Sequence, residues 1–167
     1  MGKQGTLFPQ ERVYCIDSSA LINLLRYPGY PREIFPTIWQ KLEEMVSNRT
    51  LISAIEVYRE IENTQHENDP ILEWCKQNKH MFRDIDECQL EVLPRIERQY
   101  EPHYWENETS KEGPWADPWV IALSICEGAI IVADEACGRN RMPDIAKRLG
   151  REYMNLLTFF ARTGVKY

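Results

Sequence analysis

Along this chain, short apolar runs alternate with longer stretches in which apolar residues recur every three or four positions. The segments Arg12–Ile16, Arg49–Ser53, Ala129–Ala133 and Glu152–Leu156 predict strands. Ala129–Ala133 is apolar throughout, as in a strand of a parallel sheet covered on both faces. The stretches Ser19–Arg26, 34–47, Ser53–Ile61, Pro70–Lys79, 87–104, Ala116–Glu127 and Met142–Leu149 predict helices, as does the segment after Leu156 through Arg162. Pro70 and Pro143 stand at favoured helix-opening positions, Gly128 and Gly150 at helix ends, and Pro94 is an internal flaw that can split the 87–104 helix. Tyr27–Pro31 is a turn cluster, Asn63–Asp69 a polar break and Glu106–Gly113 an expected loop.

Strands alternating with helices predict an α/β fold: a three-layer α/β/α sandwich around a central, mainly parallel sheet of four or five strands. The 167 residues suit one domain, expected at 12–167, behind a flexible, polar N-terminal arm at 1–11. No apolar run is long enough to span a membrane. Five cysteines, an odd number without a C-x-x-C pair, argue against a disulfide framework and for a reducing cytoplasmic setting, with Cys15 and Cys126 as core residues. His66, His80 and His103 stand at no zinc-ligand spacing. The net charge of −6 argues against broad, non-specific coating of nucleic acid. It leaves room for an enzyme whose acids are neutralised by bound cations.

Four acidic stretches carry the candidate chemistry. Asp17 ends the first strand, Glu56 and Glu60 share a helix face, Asp117 opens an apolar helix, and Asp134 and Glu135 follow the strongest strand. Ligands of open parallel sheets bind at the carboxyl ends of the strands, so these carboxylates can converge on one crevice. Oxygen-only donors suit hard divalent cations such as Mg²⁺ or Mn²⁺. Each residue also has a plainer reading. Asp17 can cap a helix, Asp117 can open one, and Glu56 with Arg59 and Glu62 can be a solvated face. Ser19 can hydrogen-bond a phosphate or simply start the helix. Arg139, Arg141, Lys147 and Arg148 can hold a phosphate backbone or lie on a solvated helix. No G-x-G-x-x-G, P-loop or G-x-S-x-G pattern is present. Ser19 stands where phosphatases with an aspartyl nucleophile place a second Asp.

The motifs Tyr14-Cys15-Ile16-Asp17-Ser18-Ser19, Ile52-Ser53 with Glu60-Ile61, Ala116-Asp117-Pro118-Trp119 and Val132-Ala133-Asp134-Glu135 resemble those of the PIN-domain superfamily. The tail Met142-Pro143-Asp144-Ile145 with Asn155-Leu156-Leu157 resembles a PIN-like group of unknown function in particular. The likeness runs from Val13 to Lys166. It implies the three-layer fold and an Mg²⁺ or Mn²⁺ site of Asp17, Glu60, Asp117 and Glu135, with Glu56 in the subgroup's own acidic set and Asp134 competing for the fourth place. Ala133 stands where the superfamily usually has Thr, and Glu135 where Asp is commoner. The implied activity is metal-assisted phosphodiester hydrolysis of RNA by water, in the manner of a toxin with an antitoxin partner and a tendency to form homodimers. Two alternatives stay open. One is a non-catalytic RNA- or protein-binding module with a weakened metal site. The other, a flap-type DNA nuclease, would want more basic surface and a longer chain.

Overall fold

The structure is a computed structural model that describes residues 11–26 and 28–165. The expected N-terminal arm lies almost wholly outside the described residues, as does Tyr27 of the turn cluster. In chain order the elements are β1 (Tyr14–Ile16), α1 (Ser18–Asn23), α2 (Pro36–Ser47), β2 (Leu51–Ala54), α3 (Ile55–Thr64), α4 (Pro70–Gln77), a 3₁₀ turn (Lys79–Met81) and β3 (Phe82–Arg83). These are followed by α5 (Glu87–Glu97), α6 (Pro102–Ser110), α7 (Asp117–Glu127), β4 (Ile130–Val132), α8 (Met142–Arg148), β5 (Tyr153–Met154) and α9 (Leu156–Thr163).

The five strands form one all-parallel sheet in the order β3-β2-β1-β4-β5, the middle layer of a three-layer α/β/α sandwich. Right-handed crossovers put the helices between β1 and β3 on one face and those between β3 and β5 on the other. The packing follows. Trp39 of α2 meets Trp74 of α4 edge to face, with ring centres 5.7 Å apart. Phe159 of α9 packs on Tyr14 of β1 at 5.0 Å. On the opposite face α7 lies across β1, β2 and β4 and packs against α5 and α8. Each residue of β1, β2 and β4 is buried, as central strands covered on both faces require. β1 pairs with β2 on one side and β4 on the other, so the chain reverses its direction of travel across the sheet there. The crevice at that reversal is where an open α/β sheet takes its ligands.

The structure corrects three expectations. The expected 87–104 helix divides after Glu97, and α6 restarts at Pro102. Pro94 is retained inside α5, and the carbonyl it cannot serve is that of Leu90, a residue exposed to solvent. The expected loop at Glu106–Gly113 is helical as far as Ser110, held by local bonds such as Thr109 Oγ1 to the Trp105 carbonyl at 2.8 Å. The expectation against disulfides is corrected at one pair, while Cys15, Cys75 and Cys137 are free. Cys88 of α5 and Cys126 of α7 form a disulfide, with Cα atoms 6.0 Å apart. Cys126 is therefore a partly buried staple between two packed helices and not a core residue, whereas Cys15 is fully buried. Gly128 closes α7 at φ 63°, a conformation that a residue with a Cβ resists. Among the described residues no helix is long and apolar enough to cross a membrane.

Candidate metal centre

The chain leaves β1 at Ile16, and the next residue, Asp17, caps α1. Its Oδ2 accepts the backbone N–H of Ser19 at 3.2 Å and the Ser19 hydroxyl at 2.7 Å. The capping role is thus real, yet it occupies one oxygen only. Oδ1 of Asp17 is buried with no hydrogen-bond partner among the described residues. A buried carboxylate oxygen without a donor is costly, so a native chain that keeps one has a use for it.

Asp117 opens α7, and Pro118 follows at a position where a missing N–H costs nothing. Glu135 follows β4, which lies directly beside β1. One carboxylate oxygen from each of Asp17, Asp117 and Glu135 lies within 4.8 Å of the others. Oε2 of Glu135 is a second buried oxygen without a partner among the described residues. Three acids at that separation repel one another, and burial compounds the cost. Asp117 is held well above the usual carboxylate range by burial and then by the charges of Asp17, Glu135 and Glu60, with Arg141 opposing. Burial, followed by the Asp17 charge, pushes Glu135 up to about 7. Asp17 is raised by burial despite the bonds from Ser19 and Ser18. Arg141 offsets only part of this repulsion, and the donor set is all oxygen. These residues therefore fit a hard divalent cation.

The other predicted residues are placed differently. Glu60 stands at the edge of the cluster with both oxygens engaged. Oε1 accepts the Ser18 hydroxyl at 2.7 Å, and Oε2 accepts the Ala116 N–H at 2.8 Å. Burial raises its pKa, and those two bonds oppose the rise. Glu60 thus ties the starts of α1 and α7 together. Glu56 pairs with Arg59 one turn along α3 and lies outside the cluster. Asp134 is also outside it. Its Oδ1 accepts the Leu156 N–H at 2.8 Å, and its Oδ2 accepts the Asn23 amide at 2.9 Å. Ser19 donates to Asp17 and accepts the Asp134 N–H at 3.0 Å, so it braces two loops against each other.

Among the basic candidates, Arg139 reaches Glu101 at 3.3 Å. Arg148 donates to the carbonyls of Gln99 and Arg139. Arg141 is exposed, and its side chain makes no hydrogen bond or ion pair with the described residues. Its charge bears on both Asp117 and Glu135. One residue of this neighbourhood was missed from the sequence. The Tyr100 hydroxyl is buried without a partner among the described residues, and burial and then the charge of Asp117 raise its pKa. No periodicity announces such a residue, because it sits in the turn between two helices.

The family described as Domain of unknown function (DUF4411) matches residues 14–167. The chain belongs to this family. The match begins at β1 and takes in all four acidic segments. No curated protein matches the chain. A solved structure described as "Crystal structure of PAE2754 from Pyrobaculum aerophilum" matches with 12% identity and a TM-score of 0.49, covering 93% of this chain and 98% of that one.

Proposed function

We propose that this member of the DUF4411 family is a metal-dependent phosphodiesterase of PIN-like character, acting on RNA with Mg²⁺ or Mn²⁺. The observation that carries this reading is the convergence of Asp17, Asp117 and Glu135 on one point, with unpartnered buried oxygens on Asp17 and Glu135. Asp17, Asp117 and Glu135 would hold the cation. A cation bound there supplies Lewis-acid polarisation of a phosphoryl oxygen and activation of water.

The chain's own residues would do the rest. Glu60 holds the N-terminus of α7, and with it Asp117, against the start of α1. Ser19 keeps Asp17 in its rotamer and, by accepting from Asp134 N–H, fixes the loop that presents Glu135. Arg141 is free to meet the substrate phosphate, as an unpaired guanidinium does well. The nucleophile is water, so no covalent residue is needed.

The test is cleavage of a panel of single-stranded RNAs in Mn²⁺, Mg²⁺ or EDTA, with Asp17→Asn and Asp117→Asn alongside, and Mn²⁺ binding followed by calorimetry. Cleavage that needs metal and disappears in both variants supports the reading. Tight Mn²⁺ binding without cleavage of any RNA overturns the enzymatic part and leaves a metal-stabilised binding module. Neither binding nor cleavage overturns the whole.

A further inference from the structure

Beside the acidic centre stands an aromatic wall that the metal chemistry does not use. Four rings from two short segments form it: Tyr100, Tyr104 and Trp105 around the start of α6, and Trp115 just ahead of Asp117. Tyr100 and Tyr104 stack with an interplanar angle of 8°. Trp115 meets Trp105 and Tyr100 at 5.2 Å each, and Tyr104 at 6.2 Å.

This wall packs against the core without being sealed inside it. α6 buries no residue fully, and Tyr104, Trp105 and Trp115 are all left part-exposed. Only Tyr100, 4% exposed, is sealed beneath them. Tyr104, Trp105 and Trp115 thus rest on the core with one side and keep part of their ring surface open to a ligand.

The wall is also fixed in place. Arg148 donates to the Gln99 carbonyl. Asn140 and Glu101 exchange a reciprocal pair of 2.9 Å bonds, Asn140 Nδ2 donating to Glu101 Oε2 and Glu101 N–H donating to Asn140 Oδ1. The turn that holds Tyr100 is therefore clamped to the loop that follows Glu135. Trp115 joins the wall to the Ala116–Asp117 step. Arg141 completes the arrangement, exposed and unpaired among the described residues, and close enough for its charge to act on Asp117, Glu135 and Tyr104. Trp105 and Tyr100 also line a cleft of about 410 Å³, whose charged lining residues are Arg98, Glu97 and Glu106.

Part-exposed rings next to an available guanidinium are the chemistry of single-stranded nucleic acid recognition: bases stack on rings, and a phosphate meets the cation. A duplex keeps its bases stacked on one another and offers the wall nothing.

We propose that Tyr104, Trp105 and Trp115 form a base-stacking platform that seats an unpaired nucleobase of RNA beside the phosphodiester presented to the acidic centre, with Arg141 on the intervening phosphate. The platform names the substrate class of the site proposed above and rests on that reading for its catalytic meaning. Its binding role can be measured without cleavage.

The experiment compares the full chain with Tyr104→Ala, Trp105→Ala and Trp105→Phe, each shown by circular dichroism and melting to be folded. Dissociation constants are read by fluorescence anisotropy in EDTA for a labelled single-stranded RNA octamer, for the same strand with abasic residues, and for its duplex. The expected result is a loss of about tenfold for each alanine variant on the base-bearing strand. Trp105→Phe restores most of it, and the abasic strand is bound equally by wild type and variants. The duplex binds wild type at least about tenfold more weakly than the single strand.

Equal losses on abasic and base-bearing strands, unchanged affinity in the variants, or no binding of any strand overturns the platform. Hydrolysis of bis(p-nitrophenyl) phosphate in Mn²⁺ is assayed in parallel. It offers no nucleobase, so its presence with an unaffected octamer affinity sinks the platform alone. Its absence, with the octamer result as expected, sinks the enzymatic reading alone.

Discussion

The Ser18 hydroxyl donates to Oε1 of Glu60 across a separation of 42 residues, and Oε2 of the same carboxylate takes the Ala116 N–H. A carboxylate with both oxygens spent on protein donors is a strut. Glu60→Ala leaves two part-buried donors unserved and should cost about 2–6 kcal/mol in a urea titration, given roughly 1–3 kcal/mol for each orphaned group. Glu60→Gln can still accept from Ala116 through its oxygen and donate to the Ser18 hydroxyl, so its loss should stay below about 1 kcal/mol. Its Mn²⁺ affinity should change only a few-fold. A collapse of metal affinity in Glu60→Gln with stability intact would make Glu60 a ligand instead.

Asp117 behaves in the opposite way. Burial strongly disfavours its charged form, and the charges of Asp17, Glu135 and Glu60 add to that. Replacing it by Asn removes that repulsion. The metal-free Asp117→Asn variant should melt higher than wild type, by about 2–4 °C for each kcal/mol recovered in a chain of this size. Its Mn²⁺ affinity should fall by more than the roughly 10–100-fold typical of losing a group that only supports a ligand. Calorimetric melts in EDTA and in Mn²⁺ read both effects.

Glu135 sets the pH response. In the fold it keeps its proton up to about pH 7, whereas the unfolded chain releases it near the ordinary 4.5. Between those values the folded state binds more protons, so stability is highest below about 4.5 and declines as pH rises through about 7. Asp17 and Asp117 shift in the same direction. Melting temperature in EDTA should therefore fall from pH 5.5 to pH 8. Saturating Mn²⁺ should cancel the fall, because the cation binds the deprotonated set. A flat profile in EDTA would show that the cluster carries less repulsion than its geometry implies.

The Cys88–Cys126 bond closes a loop with a sequence separation of 38 residues between two helices that pack along each other. A chain-entropy account gives about 3–4 kcal/mol for a loop of this length. Cys88→Ser should lower stability by about that amount in non-reducing buffer and by nothing measurable in dithiothreitol. Equal stability of the two proteins in both buffers would mean that the bond does not form in solution.

Much of this molecule can be read from its sequence where the signal is local. The apolar run before Asp17 and the one before Glu135 place both acids at adjacent strand ends, and Asp117-Pro118 opens a helix as expected. The choice between Asp134 and Glu135 is not local. It depends on the Asn23 amide and the Leu156 N–H, which come from opposite ends of the chain to claim Asp134. β3 is two residues long and follows a 3₁₀ turn, too short for any alternation to show. α6 has no buried stripe, so its sequence carries no helical period to detect. The disulfide depends on how α5 meets α7, which the spacing of the cysteines does not encode.

The brace between Ser19 and Asp134 spans 115 residues. The acidic centre therefore assembles only when β1 and β4, neighbours in the sheet but far apart in the chain, have zipped together. Closing so long a loop is slow and comes late along the folding path. Before that moment the carboxylates are scattered and have no shared affinity for an ion. A cation would then leave the folding rate nearly untouched and slow unfolding instead, a lock that can be turned only after the door has shut.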